Sequence, residues 1–140
     1  MERKYQITIH DIHTVDGDTS DTTMTVFGTM EKTDTGYVLR YLEQSGELTG
    51  FVTELTVTEP DSVFISRQGD YRIELMLETA RRHECHYDTP QGSLMMGVYT
   101  NEIDSRMSTF GGTLDLNYDI DFNAGFVSEN QLHITVKEIF

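Results

Sequence analysis

Leu114-Asp115-Leu116-Asn117-Tyr118-Asp119-Ile120-Asp121-Phe122 alternates apolar and polar residues without a break. Successive side chains of a strand point to opposite faces, so Leu114, Leu116, Tyr118, Ile120 and Phe122 share one face and the acidic residues the other. A helix would repeat its apolar residues every three or four positions. This stretch therefore reads as a half-buried β-strand, with one face on a core and one on water.

Working outward, the same period returns between short turn signals. Toward the C-terminus, a loop over Asn123–Asn130 leads to Leu132, Ile134 and Val136. Toward the N-terminus, a loop over Asp104–Gly112 precedes the strand, and before it come Leu94, Met96 and Val98. Thr89-Pro90-Gln91-Gly92 forms a turn after Cys85 and Tyr87, and Glu78–Arg82 is the one place in the first hundred residues where a helical turn is expected. Tyr71, Ile73, Leu75 and Leu77 follow a hairpin at Gln68-Gly69-Asp70, where Gly69 is expected to carry a positive φ. Earlier segments are Val63 and Ile65; Phe51, Leu55 and Val57, stopped by Glu59-Pro60-Asp61; and Tyr37, Leu39 and Tyr41, closed by Gln44–Glu47. Met24, Val26 and Met30 lie between turns at Asp16-Gly17-Asp18 and Asp34-Thr35-Gly36. The first segment is Tyr5, Ile7 and Ile9, after which the phase slips to Ile12 and Val15 and suggests a bulge near His10 and Asp11.

About ten short strands with hairpin-length connections leave no room for crossover helices, so an all-β antiparallel meander is expected. A sheet of that many strands curls closed and so removes its edges. The expectation is an up-and-down β-barrel of about 8–10 strands in one domain over residues 1–140, with a two-sheet sandwich as the alternative. The chain's 19 threonines against two alanines, Ala80 and Ala124, agree with strands rather than helices.

Lys and Arg number 10 and Asp and Glu 24, for a net charge of −14. That sign opposes nucleic-acid binding, which draws its affinity from cations on phosphates, and it opposes an anionic membrane surface. Met1-Glu2-Arg3-Lys4 leads directly into the first strand without an apolar leader, so a cytoplasmic protein is expected. Cys85 is the only cysteine, which excludes an intramolecular disulfide.

Three motifs, Arg67-Gln68-Gly69, Tyr87-Asp88-Thr89-Pro90-Gln91-Gly92 and Gly112-Thr113-Leu114-Asp115-Leu116-Asn117-Tyr118, resemble the bacterial YwiB-like family over nearly the whole chain. The resemblance implies a calycin-like barrel, similar in shape to lipocalins, in a family with no assigned activity.

Candidate site residues come from asking where polar side chains continue an apolar face. Glu43 continues Tyr37, Leu39 and Tyr41; Arg67 continues Val63 and Ile65; Thr89 continues Cys85 and Tyr87. In a meander these three segments run the same way, so Glu43, Arg67, Tyr87 and Thr89 should gather at one rim, with Tyr71 close by across the Gly69 hairpin. Such a cluster has two readings. It is either the polar end of a ligand pocket, with Arg67 as a two-point anion donor, or a structural Arg67–Glu43 pair that closes the barrel.

No metal or cofactor is expected. His83 and Cys85 share a strand face while His86 points away, His10 and His13 oppose each other, and Asp16–Asp21 lacks the closing residues of a calcium loop. Arg81-Arg82-His83 reads as a solvated turn, and no phosphate loop or nucleophile motif occurs. The expected function is non-enzymatic binding of a small apolar or amphipathic ligand inside the barrel. The alternatives are an interaction or structural module whose acidic surface meets a basic protein partner, and an enzyme using the Glu43/Arg67 rim. The expected assembly is a monomer or a homodimer.

Overall fold

The computed structural model describes residues 4–46, 48–122 and 125–139. Met1–Arg3, Glu47, Asn123, Ala124 and Phe140 lie outside the described residues, and with them parts of the N-terminal, Gln44–Glu47 and Asn123–Asn130 readings. The alternating segments form ten strands: β1 (Tyr5–Val15), β2 (Asp18–Lys32), β3 (Gly36–Leu42), β4 (Val52–Thr58), β5 (Ser62–Gln68), β6 (Arg72–Glu78), β7 (Arg82–Thr89), β8 (Gly92–Ser108), β9 (Gly111–Phe122) and β10 (Gly125–Glu138). Each pairs antiparallel with the next in sequence. β1 also pairs with β10, from Tyr5↔Glu138 to Thr14↔Glu129, and closes the barrel. Closure excludes the sandwich alternative.

The inward face of each strand is the apolar one. Ile7, Leu39, Leu55, Ile65, Leu77, Met96, Leu114 and Ile134 are fully buried, and each such side chain contributes about 1.5–3 kcal/mol relative to exposure. At one end the barrel is sealed: the Tyr5 hydroxyl donates to the Thr109 carbonyl (2.8 Å) and the Tyr37 hydroxyl to that of Met107 (3.3 Å). The seam between β6 and β7 is the most sparsely paired, with Ile73↔Tyr87 its one ladder pair, and the Met76 N–H donates across it to Cys85 Sγ (3.2 Å).

Several local expectations are corrected. β1 has no bulge near His10 and Asp11, because its register with β2 runs unbroken from Tyr5↔Gly28 to Val15↔Asp18. Asp11 and His13 thus continue the inward face, and Ile12 lies on the outer one. The expected Asp104–Gly112 loop is strand except for a two-residue turn at Thr109 and Phe110. A bulge at Asn101, between Thr100 and Glu102, moves the inward phase of β8 from Met96, Val98 and Thr100 to Ile103, Ser105 and Met107. A second bulge, at Val127, lets β10 begin at Gly125 where a loop is expected. Leu94 keeps the inward phase but is exposed at the rim. Glu78–Arg82 is a tight turn rather than a helical one, with Ala80 at φ 63° and the Arg81 N–H donating to the Glu78 carbonyl (3.1 Å).

Gly69 does not adopt a positive φ. Its lack of a side chain makes room for a ring instead, since a Cβ there would lie 2.5 Å from Phe51 Cδ1. Gly69→Ala should therefore lower stability by about 1–3 kcal/mol through overpacking, and the cost should largely vanish in a Phe51→Ala background. Urea denaturation of the four proteins checks this; an equal cost in both backgrounds would point to the backbone instead.

Candidate functional site

In an antiparallel meander the C-terminal ends of odd strands and the N-terminal ends of even strands meet at one rim. The inward face turns polar there on several strands in turn. On β1 it passes from Ile9 to Asp11 and His13, after β3 from Tyr41 to Glu43, on β5 from Ile65 to Arg67, and β10 enters with Ser128 and Asn130. This end is open. A cavity of about 520 Å³ sits in it, walled by Ile9, Met24, Leu48 and Leu132 on its apolar side and by Asp11, His13, Tyr41, Glu43 and Arg67 on its polar side.

Glu43 and Arg67, brought together from different strands, form the floor. Arg67 Nε lies 3.9 Å from Glu43 Oε2, with the two side chains 16% and 10% exposed. That distance is too long for a hydrogen bond. Glu43 Oε2 instead accepts from the Thr53 hydroxyl (2.6 Å), while Arg67 Nε is buried without a hydrogen-bond partner. Tyr41, Thr53 and Arg67 are consecutive cross-strand neighbours, which puts a phenol, a hydroxyl and a guanidinium on one level of the barrel.

The electrostatics follow from this burial. Burial lowers the Arg67 pKa, but Tyr41, Tyr118, Glu43 and Asp11 outweigh it, and the guanidinium stays charged. Burial pushes the Tyr118 phenol up to about 12 and the Tyr41 phenol higher still, with Arg67 opposing both. Burial also raises the Asp11 carboxyl above the usual carboxylate range, partly offset by Arg67, His13 and His10. Asn130 Nδ2 donates to the Ser128 hydroxyl (2.9 Å), so its Oδ1 is the acceptor facing His13 Nδ1 at 2.8 Å. The proton of neutral His13 then sits on Nδ1, leaving Nε2 as an acceptor.

The remaining rim residues stand outside this cavity. Tyr87 occupies the same level as Arg67, but Ile73 of β6 comes between them, and its ring packs edge-on against Phe122 (6.2 Å). Tyr71 packs edge-on against Phe51 (4.9 Å). The Thr89 hydroxyl donates to the Gly92 carbonyl (2.8 Å) and accepts from the Gln91 N–H, and so stabilises its own turn. Asp11, His13 and Tyr118 are the members missed from sequence; for Asp11 and His13 the usable signal was the unbroken phase of Tyr5, Ile7 and Ile9. Elsewhere, Arg82 of the basic patch is held by Asp121 and Glu84 (both 2.7 Å), and His83 by Glu78 (3.0 Å).

The family profile described as "Domain of unknown function (DUF1934)" matches residues 7–134. The crystal structure of the YwiB protein from Bacillus subtilis is similar with a TM-score of 0.87, at 19% sequence identity over 99% of this chain and 94% of that one. At that identity the likeness speaks to the fold alone. No curated protein matches the chain.

The raised Asp11 pKa carries a pH prediction. Folding favours the protonated form, so relative to a neutral side chain Asp11 destabilises the barrel once pH exceeds the ordinary carboxylate value of 3.8. Asp11→Asn should raise the urea midpoint at pH 7, and the gain should shrink as pH falls toward 4. A gain independent of pH would show that the Asp11 charge is not the cause.

Proposed function

The chain belongs to the DUF1934 family, a domain of unknown function, and from the geometry of its barrel mouth we propose that it binds a small amphipathic molecule there, with Arg67 taking the polar end. One observation carries this reading: a buried guanidinium Nε–H without an acceptor, on the floor of an open cavity of about 520 Å³. Leaving such a donor unsatisfied costs about 1–3 kcal/mol or more, which a ligand oxygen would recover once a small turn of the Arg67 side chain presents Nε–H to the cavity. The volume lies within the roughly 300–1,000 Å³ typical of small-molecule sites.

Ile9, Met24, Leu48 and Leu132 give the ligand's apolar part a wall, while the barrel beneath is filled by its own side chains. The proposal therefore places the ligand in the mouth and not deep in the interior, unlike the lipocalin-like arrangement that a calycin kinship would suggest. Glu43 and Arg67 are direct contacts in this reading, whereas Tyr71, Tyr87 and Thr89 stand outside the cavity and are not part of the proposed site. A purely structural Arg67–Glu43 pair is less well supported, because Glu43 is hydrogen-bonded to Thr53 and stands 3.9 Å from Arg67. We read the molecule as a cytoplasmic binding protein that needs no cofactor and performs no reaction.

A second reading, a basic protein partner on the acidic exterior, is favoured by an exposed apolar row on the outer wall. Phe27 is 64% exposed, and Leu42 and Val52, paired across β3 and β4, are 47% and 41% exposed. Such a row rimmed by charge is a common mark of an interaction surface.

Native mass spectrometry of the protein purified from its own host tests both. The expected result is a one-to-one small-molecule adduct that is lost in Arg67→Met while the circular dichroism spectrum is unchanged. An adduct retained by Arg67→Met contradicts the site, and a co-purifying basic protein without an adduct favours the second reading.

A further inference from the structure

Resting on the binding reading above, we infer that the ligand's head group is zwitterionic, an α-ammonium carboxylate whose carboxylate meets Arg67 and whose ammonium meets Glu43 and Asp11. The cavity is lined by one guanidinium, Arg67, and three carboxylates, Asp11, Asp21 and Glu43, of which Asp21 is engaged by His10 (3.1 Å). Arg67 offers an N–H with no acceptor. Glu43 Oε2 is engaged by Thr53 and the carboxylate also hydrogen-bonds Tyr41, but a carboxylate has about four acceptor sites, and Asp11 adds a second carboxylate to the same cavity. His13 adds an acceptor nitrogen to the same wall, since its Nδ1 faces Asn130.

A simple anion cannot satisfy this set. Its oxygens would pair with Arg67 but stand beside two carboxylates in a partly dehydrated pocket, where like charges repel strongly. A simple cation fails for the opposite reason: it would pair with the carboxylates and leave the Arg67 donor unsatisfied. A head group with both charges on neighbouring atoms meets the donor and the acceptors at once, and each contact is of the stronger, charge-assisted kind. The apolar wall of Ile9, Met24, Leu48 and Leu132 then selects an apolar tail.

Three probes with the same tail separate these cases: L-2-aminooctanoate, octanoate, which lacks the ammonium, and heptylamine, which lacks the carboxylate. Isothermal titration calorimetry with the full chain should give the zwitterion at least about tenfold tighter binding than either of the others, the loss expected when a buried charged hydrogen bond goes unmade. Arg67→Met should abolish the advantage over heptylamine. Asp11→Asn combined with Glu43→Gln should abolish the advantage over octanoate and strengthen octanoate binding. If octanoate or heptylamine binds wild-type protein as tightly as L-2-aminooctanoate, the head-group inference is overturned while the amphipathic site stands. If none of the three binds at millimolar concentration, both fall. The wild-type comparison decides the matter even where a variant does not fold.

Discussion

Closure of the sheet through β1 is the constraint on which the rest depends. β1 is in unbroken register with β2 on one side and with β10 on the other. Closure leaves the sparsely paired β6–β7 seam as the weakest edge among the described residues, and every strand must commit one face to the interior. The interior is narrow enough to be filled by the chain's own Leu, Ile, Val and Met side chains. Inward charged groups are then held near a rim, while the inward Thr100 hydroxyl is fully buried without a hydrogen-bond partner. One rim is sealed by Tyr5 and Tyr37 on the β8–β9 hairpin, so the other carries the polar set.

The charge distribution follows the same logic. Some of the acidic residues of the outer wall are paired locally, as in Arg40–Glu54 and Arg82–Asp121, and exposed pairs of this kind add little stability. Asp11 and Glu43 differ because they face inward beside a guanidinium that has no exit to bulk water on its Nε side. A buried charge is tolerated only when its surroundings compensate it. Here the Glu43 and Asp11 carboxylates do so electrostatically without supplying Nε with a hydrogen bond.

Where periodicity ran unbroken, the sequence was sufficient. β9, β3 and β5 keep their phase to the last residue, and this is why the juxtaposition of Glu43 and Arg67 is legible in the sequence. Asp11 was lost because an acidic residue following Ile9 looked like a change of phase, when the strand in fact carries its polar residues inward. The bulges at Asn101 and Val127 were hidden for a related reason: one extra residue reverses the pattern, and a reversed pattern over polar residues resembles a loop. Tyr87 shares the register level of Arg67, but its distance from Arg67 depends on the intervening β6, which phase alone does not reveal. The role of Gly69 was invisible in principle, since it is set by a ring from β4's approach segment and not by its own turn.

The most direct measurement is the NMR signal of the Arg67 Nε–Hε group, assigned by its absence in Arg67→Lys, in protein freed of small molecules. The account predicts an Hε that exchanges with water much more slowly than those of the exposed Arg40 and Arg106, with contacts to the ring protons of Tyr41 and Tyr118. Exchange as fast as at Arg106, with no contact to either ring, would place Arg67 in solvent and contradict it.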